Sequence, residues 1–264
     1  GAVWGTLLHT ILEWAAVQEH TSTEGKKVKG FAAVVAENKK SEGEFFVFCK
    51  RRRIEKFFEP LWGWLVNFVH QKWQLDALGE DLDGKAISFS LSDLKPNQLA
   101  VELEFMLESH RVNTVTLDKL VRAQTLNQVS RPVAKPNFLN GLLKGFIDLV
   151  AEHNGRYYVI DWKSNRLGRS DNDYTQEAML KQILEHRYDM QYVLYLVALH
   201  RQLKARLPEY NYDLHVGGAI YVFLRGMNDQ LSAGLFCDKP PKALIEELDT
   251  LLAGSNQDSQ GAAS

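Results

Sequence analysis

The feature that most constrains the fold is a pair of β-prone runs on either side of an Asn-Gly dipeptide. Residues 142–152 and 156–164 both contain β-branched and aromatic side chains, and they flank Asn154-Gly155. Asn-Gly favours a two-residue type I′ turn, whose twist matches that of the strands it joins. The sequence therefore predicts an antiparallel hairpin in which His153 pairs with Arg156.

The register of this hairpin brings two carboxylates together. Counting outward from the turn pairs Val150 with Val159 and places Asp148 opposite Asp161. Directly opposed residues have Cβ atoms about 4.5–5.5 Å apart, and like charges in such positions are destabilising. A divalent cation shared by the two side chains would remove the repulsion. A single proton shared by the pair, with one pKa strongly raised, is the alternative.

A lysine follows on the same face of the second strand. Lys163 lies two residues after Asp161, so the two side chains emerge on one side. An acidic pair beside an ammonium group suits phosphodiester hydrolysis, because a metal ion can hold the phosphate while the lysine stabilises charge on its oxygens. The same residues would also form a structural ion pair on a polar sheet face, and spacing alone does not separate these interpretations.

The rest of the chain shows mainly helical patterns. Apolar residues recur at helical spacing over 4–18, and the aromatic-rich stretch 54–75 is predicted to be helical and part of the core. Residues 99–107 alternate like a half-buried strand, with Val101, Leu103 and Phe105 on one face. The remaining predicted elements are helices at 116–126, 174–185, 189–207 and 241–252, a loop at 129–140 and a β segment at 217–225. We predict an α/β or α+β fold with a small mixed sheet flanked by helices.

Composition narrows the class of protein. Hydrophobic residues make up 45% and charged residues 24%, as in soluble globular proteins, and the apolar stretches are too short to span a bilayer. The N-terminus has no secretory signature, and Cys49 and Cys237 fit reduced thiols better than a bridge, so we expect a cytoplasmic protein. Two cysteines are too few for an iron–sulfur cluster, and the sequence contains no GxxxxGK[ST] phosphate loop.

Basic residues are clustered although the net charge is only -2. One cluster is formed by Lys26, Lys27 and Lys29, and a second by the run 50–53, Lys-Arg-Arg-Arg. Such runs are usually solvated surface, and otherwise they are patches that contact phosphates. Both interpretations remain open.

Four segments together carry a family resemblance. Residues 145–150 (GFIDLV) and 159–165 (VIDWKSN) resemble the D…DxK core of the PD-(D/E)xK nuclease superfamily, and within it the RecB-type nuclease domains of bacterial RecBCD helicase–nucleases. Residues 5–9 (GTLLH) are similar to the Gly-x-x-x-His motif of that group, residues 191–195 (QYVLY) to its QxxxY helix motif, and residues 217–226 to its closing strand. The resemblance covers nearly the whole chain and is weakest from about 20 to 98. It implies a restriction-endonuclease-like core.

The resemblance also implies roles for matching residues. The implied metal ligands, for Mg²⁺ with Mn²⁺ as a possible substitute, are His9, Asp148, Asp161 and the backbone carbonyl of Trp162. The implied catalytic residues are Asp148, Asp161, Lys163 and Glu102. Glu102 matches the upstream acidic position, and Glu104 is the alternative because it shares the same face. Gln191 and Tyr195 would either contact the substrate backbone or brace the site.

The implied function is that of a metal-dependent deoxyribonuclease of the exodeoxyribonuclease V type, acting on single-stranded DNA in double-strand break repair and recombination. We expect a nuclease domain at 1–253, with a core at about 99–225, an N-terminal helical part at 1–98 and a disordered tail at 254–264. The implied partners are RecC, RecD, RecA and helicase domains of the same full-length chain, in the bacterial cytoplasm and without a membrane. The alternatives are a catalytically inactive scaffold of the same fold, an AddA-type nuclease and a relative that acts on RNA.

Overall fold

The computed structural model describes residues 2–21, 27–37, 43–81, 83–228 and 233–254. Residues 255–264 of the predicted tail lie outside these ranges, as does Lys26. The helices are α1 (Ala2–Ala16), α2 (Phe31–Ala36), α3 (Glu44–Arg51), α4 (Phe58–His70), α5 (Thr114–Gln124), α6 (Gln176–Glu185), α7 (Tyr188–Arg206), α8 (Tyr212–His215) and α9 (Lys242–Leu252). The strands are β1 (Glu19–Thr21), β2 (Lys27–Lys29), β3 (Trp73–Gln74), β4 (Ser88–Phe89), β5 (Leu99–Asn113), β6 (Phe138–His153), β7 (Arg156–Lys163), β8 (Val216–Phe223) and β9 (Leu235–Asp238).

A five-stranded sheet in the order β5-β6-β7-β8-β9 forms the centre of the molecule. The pair β7–β8 is parallel, and the other neighbouring pairs are antiparallel. The predicted fold class, a mixed sheet flanked by helices, is therefore confirmed. Among the described residues, no helix is long and apolar enough to cross a membrane.

The hairpin register predicted from Asn154-Gly155 is confirmed over five pairs. His153 pairs with Arg156, and the regular pairing continues to Leu149 and Ile160. The regular strand pairing ends one pair before Asp148 and Asp161, because the backbone N–H of Trp162 donates its hydrogen bond to the Asp148 side chain. The two carboxylates still lie close enough for the charge of Asp161 to act on Asp148.

Each face of the sheet supports its own hydrophobic core. The helices α1–α4 cover one face, where the predicted aromatic core is confirmed by the buried side chains of Phe58, Trp62, Phe68 and Trp73. The helices α5, α6, α7 and α9 cover the other face. Along β7, Trp162 points into the first core and Val159 into the second. Because side chains alternate along a strand, Asp161 and Lys163 face α7.

Strand β5 departs from the predicted alternation at Glu102. This residue has a φ of 48°, in the left-handed region that non-glycine residues rarely occupy. Val101 packs against the core beside α1, whereas Leu103 and Phe105 pack against the core beside α7. The prediction that these three side chains share one face is therefore wrong, because the backbone turn at Glu102 exchanges the two sides of the strand.

Candidate active site

An ion pair at the end of β7 forms the centre of the site. The ammonium nitrogen of Lys163 lies 2.6 Å from Oδ2 of Asp161, and both residues are buried. Strand β7 lies between β6 and β8 in the sheet, so its backbone is fixed on both sides. Burial raises the pKa of Asp161, and the neighbouring ammonium group opposes this effect. The pair is thus held in a largely water-excluded position where its electrostatic interaction is strong.

Asp148 supplies a second buried carboxylate from the neighbouring strand β6. Its Oδ2 accepts a hydrogen bond of 2.8 Å from the Trp162 backbone N–H. Burial, and then the charge of Asp161, raises the pKa of Asp148 to about 8. Two carboxylates placed this way repel each other unless a cation or a proton lies between them.

Helix α1 brings His9 to the same place. Nδ1 of His9 lies 3.7 Å from Oδ2 of Asp148, and the imidazole is near enough to the backbone of Trp162 for that group to raise its pKa. Burial lowers the pKa of His9, while the carboxylates of Asp161 and Glu13 oppose this shift. The neutral imidazole favoured by burial is the form that ligates metal ions. The structure therefore brings together all four residues predicted as metal ligands.

The structure distinguishes the two acidic candidates on β5. Glu102 lies between Val101 and Leu103, whose partners on β6 are the two neighbours of Asp148. Burial, followed by the charges of Glu13 and Asp161, raises the pKa of Glu102. Glu104 instead forms an ion pair with Lys144 on the exposed face of the β5–β6 ribbon. Glu102 is thus the acidic residue that faces the site.

The side chains of α7 hold the lysine in place. The Lys163 ammonium group donates a hydrogen bond of 3.0 Å to Oε1 of Gln191, and Nε2 of Gln191 donates one of 2.7 Å to the Tyr195 hydroxyl. The Tyr195 hydroxyl in turn lies close enough to Asp161 to lower the pKa of that carboxyl. The two residues of the QxxxY motif thus close a ring of contacts around the ion pair. This geometry agrees with the bracing role among the two roles left open.

Three residues of the site were not identified from the sequence. The ring centroids of Tyr188 and Tyr221 lie 3.9 Å and 4.7 Å from the Lys163 ammonium nitrogen, so both rings stabilise its charge. The Tyr221 hydroxyl also donates to Oε1 of Gln191 over 2.9 Å. Tyr188 precedes Gln191 by three residues, and Glu13, the third residue, follows His9 by four. These helical spacings are the signals that could have identified Tyr188 and Glu13.

The donors present are suited to a divalent cation. Two carboxylates, a neutral imidazole and a backbone carbonyl form a set that Mg²⁺ or Mn²⁺ accepts. Within the described ranges, no group of three or more His, Cys, Asp or Glu side chains is arranged to hold a metal ion as it stands. In this conformation the Lys163 ammonium group lies against Asp161, so a cation would have to share that carboxylate with it.

Comparison with known proteins identifies relatives for this arrangement. The model of the PD-(D/E)XK nuclease superfamily matches residues 1–258. The RecBCD enzyme subunit RecB of Escherichia coli (strain K12) is 43% identical over 199 residues, which cover 75% of this chain and 16% of that protein. The RecB subunit of Haemophilus influenzae is 37% identical over 195 residues, covering 74% of this chain and 15% of that protein. The chain thus spans about a sixth of the length of these relatives.

Proposed function

The chain belongs to the PD-(D/E)XK nuclease superfamily, and from that premise we propose that it hydrolyses phosphodiester bonds of single-stranded DNA at the site around Asp148, Asp161 and Lys163. The observation that carries the proposal is the buried contact of 2.6 Å between Lys163 and Asp161, with Asp148 beside it. A hydrophobic core does not require three charged side chains at one point, because burying charges is costly. Hydrolysis of a phosphodiester, in contrast, uses carboxylates to bind a metal ion and an ammonium group to stabilise the charge on the phosphoryl oxygens.

Members of this superfamily generally use divalent metal ions. We assign the ligands of Mg²⁺, or of Mn²⁺ in its place, to His9, Asp148, Asp161 and the backbone carbonyl of Trp162. When bound, the cation supplies electrophilic assistance by withdrawing charge from the oxygens of the scissile phosphate.

The remaining chemistry belongs to the side chains of the chain itself. Lys163 directs its ammonium protons at the negative charge that develops on the phosphoryl oxygens, or at the attacking water. Gln191, Tyr188 and Tyr221 keep the ammonium group in one position, so little reorganisation is needed during the reaction. Glu102, exposed on the adjacent strand, is available to orient a water molecule beside Asp148.

The relatives also suggest an assembly. We propose that the chain is the nuclease module of a RecBCD-type helicase–nuclease in the bacterial cytoplasm, active in double-strand break repair. Its partners would be RecC, RecD, RecA and the helicase domains of the same full-length protein. The support is the identity to RecB subunits, of which this chain corresponds to 16% in the Escherichia coli protein. The division at residue 253 and the boundary near residue 98 stay predictions.

The test is cleavage of a labelled single-stranded DNA oligonucleotide with Mg²⁺, with Mn²⁺ or with EDTA. We expect the wild type to cut with either metal and not in EDTA, and we expect Asp161→Ala to be inactive. Asp76→Ala, which removes an exposed carboxylate in the connection between β3 and β4, is the control and should retain activity. Equal cutting by the wild type and Asp161→Ala would contradict the proposed site, and faster cutting of a matched RNA would contradict the substrate.

A further inference from the structure

A groove beside the site is lined by the basic run identified in the sequence. It lies between α1 and α3 and has a volume of about 380 Å³. Glu13 and Trp14 of α1 line one wall, and Phe48 and Arg51 of α3 line the other, with Arg52 just after the end of α3. The two walls meet where the rings of Trp14 and Phe48 pack at a centroid distance of 5.4 Å.

The α1 wall of the groove continues into the site. Glu13 lines the groove and follows His9 by four residues on the same face of α1. Its carboxylate is also near enough to Glu102 to act on that side chain electrostatically. A ligand that contacts Glu13 in the groove therefore lies one helical turn from His9.

The α3 wall of the groove is basic. The side chains of Lys50, Arg51, Arg52 and Arg53 are exposed, and none of them forms an ion pair with a carboxylate of the described residues. The carbon Cζ of Arg52 lies 4.2 Å from the centre of the Phe48 ring, which holds its guanidinium on the groove wall. A helix C-terminus favours cations in its last turn, but Arg52 and Arg53 lie beyond the end of α3.

The acidic residue on α3 lies at the other end of that helix from the arginines. Glu44 also lines the groove, at the first residue of α3. It lies seven residues before Arg51, which is about 11 Å along a helix at 1.5 Å per residue. Along α3, the two arginines are therefore separated from Glu44.

We propose that this groove holds the single-stranded DNA on its way to or from the active site, with Arg51 and Arg52 contacting phosphates and the half-buried ring of Trp14 contacting a base. The inference rests on the proposed nuclease function and adds a substrate-binding surface to it. Proteins that bind single strands commonly combine a cationic track with aromatic surfaces in this way. The arrangement also explains how a chain with a net charge of -2 binds a polyanion, because the positive charge is local.

The experiment is a binding titration of a fluorescent single-stranded DNA oligonucleotide in EDTA at several salt concentrations, followed by steady-state cleavage with Mg²⁺. We expect Arg51→Gln/Arg52→Gln to raise the Kd roughly tenfold and to reduce the slope of log K against log salt by about 1.4, because each phosphate contact on a single strand contributes about 0.7. The KM for cleavage should rise while kcat stays at the wild-type value. Arg51→Lys/Arg52→Lys keeps both charges and should recover most of the affinity, which separates loss of charge from loss of packing.

The matched control is Lys204→Gln/Arg206→Gln, which removes two exposed positive charges from the end of α7 on the other face of the sheet. It should leave the Kd and the salt slope unchanged. If the groove variant binds like the wild type or the control, or if the wild type binds no single-stranded DNA, the inference is wrong. The two proposals can also fail separately. If the wild type binds single-stranded DNA but does not cut it, and the groove variant binds more weakly, the result supports the groove and contradicts the proposed nuclease function.

Discussion

Gly5 of α1 packs directly against Ser164 at the end of β7. A Cβ added to Gly5 would lie 2.3 Å from Oγ of Ser164 and 3.1 Å from its Cβ. His9 follows one helical turn later and reaches Asp148 and the backbone of Trp162. The absence of a side chain at position 5 therefore sets how closely α1 approaches the strand that carries Asp161. This contact is the physical reason for a glycine four residues before the histidine.

We predict that Gly5→Ala lowers cleavage about tenfold or more, because α1 must move away from β7 and take His9 with it. Displacements near 1 Å at a catalytic site cost up to roughly a hundredfold in rate. The measurement is kcat/KM with Mg²⁺ on a single-stranded oligonucleotide. Adding Ser164→Ala removes the oxygen that meets the new methyl group, so the double variant should recover a substantial part of the activity.

Gly63→Ala is the control for this substitution. Gly63 is also in a helix, α4, but a Cβ there meets nothing within 4 Å. It should leave cleavage unchanged and slightly stabilise the protein, since alanine favours a helix by about 1 kcal/mol over glycine. Full activity of Gly5→Ala would show that the close contact does not position His9.

Lys163→Met should reduce kcat by about 10²–10³-fold, the loss seen when one preorganised donor to a developing oxyanion is removed. Methionine keeps a similar length and leaves an unbranched chain against the rings of Tyr188 and Tyr221. Binding of Mn²⁺, followed by calorimetry, should persist because Lys163 is not a proposed ligand. Loss of Mn²⁺ binding would instead indicate that the lysine organises the metal site.

Gln191→Ala should lower kcat roughly tenfold while KM stays within about twofold, because Gln191 acts by positioning Lys163. Its Oε1 receives hydrogen bonds from Lys163 and from the Tyr221 hydroxyl, and both are lost in the variant. Gln202→Ala, in the same helix, is the control and should behave as the wild type. A rise in KM at constant kcat would mean that Gln191 contacts the substrate rather than the lysine.

Local signals in the sequence predicted the part of the site that lies on β6 and β7. The Asn154-Gly155 turn determines the hairpin register, so the proximity of Asp148 and Asp161 followed from counting residues. The position of Lys163 relative to Asp161 followed from the alternation of a strand. These predictions needed no knowledge of contacts distant in the chain.

The contacts that span distant segments could not be predicted in the same way. Tyr221 reaches Lys163 only because β8 runs parallel to β7, and the sequence contains no turn that sets this register. Strand β9 was not predicted from the sequence, because the length of the connection before this strand gives no signal for strand pairing. Glu102 was assigned to the site through the family resemblance, and its left-handed backbone contradicts the alternation from which the strand was predicted.

A second buried charge cluster lies away from the proposed site. A guanidinium nitrogen of Arg131 lies 2.8 Å from Oδ2 of Asp189, and neither side chain is accessible to solvent. Arg131 also donates to the Thr125 carbonyl oxygen over 2.8 Å, and Arg187 donates to Asp189 over 3.0 Å. The cluster ties the segment after α5 to the first turn of α7, the helix that carries Gln191.

We predict that Asp189→Asn lowers the free energy of unfolding by about 3–5 kcal/mol, because it leaves the Arg131 guanidinium buried without a counter-charge. The measurement is urea unfolding followed by circular dichroism at neutral pH. Glu185→Gln is the control: Glu185 pairs with Lys181 across 3.8 Å on the exposed side of α6, and its removal should cost less than about 1 kcal/mol. If both variants lose the same free energy of unfolding, burial of the Arg131–Asp189 pair does not determine its contribution to stability. If Asp189→Asn loses much of its stability but keeps the wild-type kcat under conditions where it is folded, the cluster supports α7 and takes no part in catalysis.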